Sequence, residues 1–109
     1  MHVVFDLPAV RPGRLAVRLL HAPLHDATRD LRRHLRGATT RLVPDGIDLE
    51  TSLDTVAIAE LADVVRSLAN EWPWLGFRML ADPPACRLEV RGAGPAAEVA
   101  RTVFEELAR

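Results

Sequence analysis

This chain predicts a single compact α/β domain of the α+β kind: a mixed sheet of about four to six short strands with three helices, in approximate ββα-ββα-ββα order. Three observations predict it. Apolar residues recur at helical spacing in three separate stretches, of which Leu53 to Asn70 is the longest. Short β-branched or alternating runs, punctuated by Pro and Gly, occupy the intervals. Finally, 109 residues with 49% hydrophobic content suit one core and are too few for two, so residues 1–109 are taken as one domain.

The first unit opens with His2 to Leu7, β-branched and aromatic, and continues with Arg14 to Leu20, where Leu15, Val17 and Leu19 alternate with Ala16 and Arg18. Pro8, Pro12 and Gly13 between them supply turn geometry, so a hairpin is expected. Pro23 to Arg36 then places Leu24, Ala27, Leu31 and Leu35 on one helical face, with Gly37 as its stop. Arg29, Arg32, Arg33 and Arg36 share the other side. Such a stripe can meet an acidic partner, a phosphate-bearing ligand or RNA. A solvated face is favoured, because Asp26 and Asp30 sit where they offset part of the charge and no aromatic residues are interleaved for base stacking.

The second unit runs from Ala38 to Val43, through Pro44-Asp45-Gly46, to Ile47 through Glu50, read either as a strand pair around a tight turn or as one strand after a loop. The central helix follows. Ile58, Leu61, Ala62, Val65, Leu68 and Ala69 form its core face, and Glu60, Asp63, Ser67 and Asn70 its solvent face. Thr51, Ser52 and Asp54 are the capping residue types ahead of it, with Thr51 and Asp54 spaced for a capping box, and Pro73 ends it.

In the third unit, Trp74 to Leu80 and Cys86 to Arg91 make a pair across residues 81–85, with Cys86, Leu88 and Val90 alternating against Arg87, Glu89 and Arg91. Pro95 suits a first helical position, and Ala96, Val99, Ala100, Val103, Phe104 and Leu107 line one face to the C-terminus.

Charge excludes some functions. All 14 basic residues are Arg, offset by 15 acidic residues to a net charge of −1, so no overall field draws the protein to nucleic acid or anionic membrane. The lone Cys86 rules out an internal disulfide, and neither a signal segment nor an apolar run of bilayer length is read, so a cytoplasmic location is expected.

Candidate chemistry is sparse. His21 and His25 are spaced as paired metal ligands would be on a helix, but Pro23 lies between them and no third ligand is evident, so neither a metal nor any other cofactor is assigned. Cys86 sits on the apolar phase of a strand, which favours burial over nucleophilic work. Gly92-Ala93-Gly94 lacks the remainder of any phosphate-binding fingerprint. Trp72 and Trp74 can serve equally as a surface ridge or as core.

The stretch from Leu15 to about Ala81 resembles a STAS domain, the fold of bacterial anti-sigma-factor antagonists and of small phospholipid-transport subunits. Residues 17–38 resemble its strand and first helix. Ile47 to Leu61 resembles the strand and signature turn, with Leu53, Asp54, Thr55, Val56, Ala57 and Ile58 on the signature positions. Val56 stands where phosphorylation-switched members carry their regulatory hydroxyl, and Ala57 replaces the signature glycine. The resemblance is therefore to the non-phosphorylated binding members. It implies a non-enzymatic regulatory domain that docks a protein partner at the start of the central helix, with Asp54 and Thr55 making polar contacts and Ile58 an apolar one. Two alternatives stay open. One is a small dimeric ligand-binding or catalytic α+β protein with a pocket between sheet and helices, using His21, His25 and Cys86; the other is RNA or acidic-partner binding through Arg29, Arg32, Arg33 and Arg36.

Overall fold

The computed structural model describes residues 1–11 and 26–109, with side chains in the first helix described from Thr28 onward. Strand β1 is His2–Leu7, helix α1 is Asp26–Leu35, and β2 (Thr39–Val43) and β3 (Gly46–Ser52) form a hairpin. Helix α2 is Thr55–Glu71, β4 (Gly76–Asp82) and β5 (Ala85–Arg91) form a second hairpin, and α3 is Pro95–Ala108. The α+β class and the three helices hold. The expected strand at Arg14 to Leu20 lies outside the described residues, as does the start of the helix expected from Pro23.

The five described strands form one sheet in the order β1-β4-β5-β3-β2, and every pairing is antiparallel. A mixed sheet was expected, and the difference has a topological cause. Strands β3 and β4, joined through α2, do run in the same direction, but β5 is inserted between them and pairs antiparallel with both. Two tight hairpins leave no parallel neighbours in contact.

The alternation along the strands separates two faces. Phe5, Phe77, Met79, Ala81, Cys86, Leu88, Val90, Ile47 and Leu49 point to one side and join the helices in a single core. Helix α3 lies over β3 and its neighbours β2 and β5, α2 lies over β4 and β1, and α1 rests against both other helices. Leu31 and Leu35, both fully buried, are the α1 residues that close this layer. Trp72 and Trp74 stack at 5.8 Å, and Trp72 meets Phe104 edge-on at 6.5 Å. Both tryptophans are buried, so they belong to the core and not to a surface ridge.

Helix ends differ from the sequence expectation by a few residues. Thr51 and Ser52, read as caps, belong to β3, whose ladder with β5 extends through Ser52 paired to Ala85. Ladder hydrogen bonds there override the local capping preference, and α2 starts at Thr55 with Asp54 alone as its N-cap. At the other end the Trp72 N–H reaches the Leu68 carbonyl at 2.7 Å, and Pro73 follows. Close approach also dictates one glycine: a Cβ at Gly46 would lie 1.8 Å from the Val90 carbonyl oxygen.

Candidate functional site

The first turn of α2 carries the residues that the sequence singles out. Asp54 is extended, and its Oδ1 accepts the Ala57 N–H at 2.8 Å, which satisfies one of the free donors of the turn. Its own carbonyl takes the Ile58 N–H at 2.9 Å. The Leu53 N–H donates to the Pro84 carbonyl at 2.7 Å, so the β4–β5 turn is fastened against the start of the helix. Around this point Asp54, Thr55, Pro83, Pro84 and Ala85 are all exposed. Ile58 is not: it is 7% exposed and packs into the core, because it lies on the same helical face as Leu61, Ala62 and Val65. The apolar side chain presented to solvent in this turn is Val56, at 66% exposure.

Among the described residues the other candidates do not converge. Arg29, Arg32 and Arg33 on α1 and Arg36 just after it are all exposed, with Arg33 3.7 Å from Asp30. His34, between them in sequence, turns inward and sets its Nε2 3.6 Å from Glu60 of α2. His21 and His25 lie outside the described residues. Cys86 is buried in the core, and that burial pushes its thiol up to about 11, leaving it protonated at neutral pH. Among the described residues no group of His, Cys, Asp or Glu is placed to hold a metal ion.

Sequence reasoning passed over the helix-free face of the sheet. There Asp6, Arg78, Glu89, Asp48 and Arg41 stand in register across all five described strands. Glu89 takes Arg87 Nη2 at 2.6 Å and has Arg78 at 3.6 Å, while Asp48 takes Arg91 Nη2 at 2.6 Å. The bond to Glu89 is the chief cause raising the Arg87 guanidinium above its ordinary value. Its Nε is nonetheless buried without a hydrogen-bond partner. A cavity of about 540 Å³ opens on this face between residues 7–9 and the Arg78–Glu89–Arg91 floor. It is on the opposite side of the sheet from the pocket expected between sheet and helices. The signal was present in the polar phase of each strand, Arg87, Glu89 and Arg91 above all, but alternation alone reads such residues as generic solvent-facing positions.

No protein-family model matches this chain, and no curated protein or solved structure matches it.

Proposed function

We propose that this chain is a non-enzymatic protein-interaction domain of the regulatory kind, docking a protein partner at the first turn of α2. The observation that carries this reading is the exposure of Thr55 and Val56 on a turn whose cap is supplied wholly by Asp54. Neither side chain is needed to hold the helix, and the Leu53-to-Pro84 bond gives the surface a rigid rim. Rigid presentation lowers the entropy cost of docking. The Asp-Thr pair at a helix start is also the local feature in which the chain resembles the non-phosphorylated STAS members. That likeness rests on the turn and not on strand order, since β3 is flanked by β2 and β5. Val56 takes over the apolar role assigned from the sequence to Ile58. A lone buried cysteine supports a cytoplasmic location, and no described helix is long and apolar enough to cross a membrane.

Affinity capture with the purified domain as bait tests the reading. Thr55→Arg and Val56→Glu baits are expected to lose a protein that the unaltered bait enriches, with melting temperatures unchanged, since exposed substitutions of this kind shift stability by about 0.5 kcal/mol or less. Retention of that protein by both variants overturns the proposal.

A further inference from the structure

We infer that the outer edge of β2 is a second recognition site, one that takes an extended acidic peptide as an added strand. Among the described residues β2 is the last strand of the sheet, paired only with β3. The groups that face outward follow from the ladder. The Gly92 N–H donates to the Asp45 carbonyl at 2.8 Å, which turns residues 45, 47 and 49 toward β5 and Gly46, Asp48 and Glu50 toward β2. Val43, Arg41 and Thr39 are the partners of those three, so the N–H and C=O of Thr40 and Leu42 point away from the sheet. An edge of this kind is a template for a further strand.

Side chains set what that strand must be. Leu42, opposite Ile47, is on the helix side of the sheet yet 54% exposed, at the mouth of a groove of about 320 Å³ lined by Arg101, Thr102, Glu105 and Glu106 of α3 and by Arg109 at its C-cap. Arg101 pins the groove to the end of β2 and its turn by donating to the Val43 carbonyl at 3.3 Å and the Pro44 carbonyl at 2.8 Å. Arg41, opposite Asp48, is exposed on the other side and makes no ion pair with any described residue, because Asp48 is already held by Arg91. An incoming strand is therefore offered an apolar contact at Leu42 and a cation at Arg41.

A second copy of this chain does not suit the edge. In the antiparallel register that satisfies both Thr40 and Leu42 of each copy, Arg41 faces Arg41 of the second copy where opposed side chains are closest, a like-charge contact. Shifting one way sets Thr40 against Pro44, which has no N–H. Shifting the other way sets Leu42 against Ala38, whose N–H is already bonded to Leu35 at 2.9 Å. A different chain, with an acidic residue facing Arg41 and apolar residues on either side of it, meets every requirement.

Fluorescence anisotropy with two short labelled peptides, one alternating valine with glutamate and one alternating valine with lysine, tests this. The glutamate peptide is expected to bind at least about tenfold more tightly than the lysine peptide, and Arg41→Glu to reverse that order. Thr40→Pro removes an outward N–H that the β2–β3 ladder does not use, so it is expected to abolish binding of both peptides while the circular dichroism spectrum stays unchanged. If Thr40→Pro instead unfolds the domain, the Arg41→Glu reversal decides alone. Thr55→Arg is expected to leave peptide binding intact, which separates this site from the α2 docking surface. Absence of saturable binding of the glutamate peptide into the millimolar range, equal affinity for the two peptides, or full binding by a folded Thr40→Pro variant overturns the inference.

Discussion

At the scale of single residues, Cys86 shows how burial converts a potential nucleophile into a core side chain. Its sequence neighbours already announce this through alternation, and the structure adds the electrostatic consequence. An unfolded thiol ionises near 9.0, whereas the folded one is held protonated to about 11. The neutral thiol therefore adds stability that is fully present below pH 9 and fades as pH rises toward 11, by roughly 2–3 kcal/mol in all. Urea-unfolding midpoints of the native chain and of Cys86→Ala, measured from pH 8 to about 11, are expected to converge as pH rises. A pH-independent gap between the two rejects this account. Thiol alkylation in the native state at neutral pH is expected to be slow for the same reason.

At the scale of elements, α2 separates capping from docking. Asp54 does the capping through its bond to the Ala57 N–H, and Thr55 takes no part in it. Asp54→Ala is expected to cost about 1 kcal/mol, a drop of roughly 4–8 °C in melting temperature for a domain of this size, whereas Thr55→Ala stays within about 0.5 kcal/mol. Equal losses in thermal melts would mean that the cap is shared. The helix itself was legible in sequence, because Ile58, Leu61, Ala62, Val65 and Leu68 obey the helical period and are all buried. Its first residue was not. Thr51 and Ser52 are good caps by type, and only the β3–β5 ladder, a contact between residues more than thirty positions apart, assigns them to a strand.

At the scale of the whole molecule, the two faces of the sheet do different work. One carries the core; the other carries the Arg–carboxylate network, in which the Glu89 side chain is only 11% exposed and contacts both Arg78 and Arg87. Glu89→Ala is expected to cost about 1–3 kcal/mol in chemical denaturation, because it strips two arginines of a buried partner. Asp30→Ala, which breaks an exposed pair at 3.7 Å on α1, is expected to cost about 0.5 kcal/mol or less. Comparable losses in the two variants would show that the sheet network is no better than a surface pair. By itself the sequence determined the three helices, the hairpin of β4 and β5, and the apolar phase of α2, α3 and β5, since those follow from periodicities of 3.6 and 2 and from turn residues close in the chain, while it left Ala38 to Glu50 open between a strand pair and one strand after a loop. Only the tertiary structure decided that β5 enters between β3 and β4, that Thr51 and Ser52 belong to β3, and that, among the described residues, Arg41 and Leu42 stand on the outer strand of the sheet. Each of these depends on which distant strand or helix lies alongside, and local periodicity carries no record of that choice.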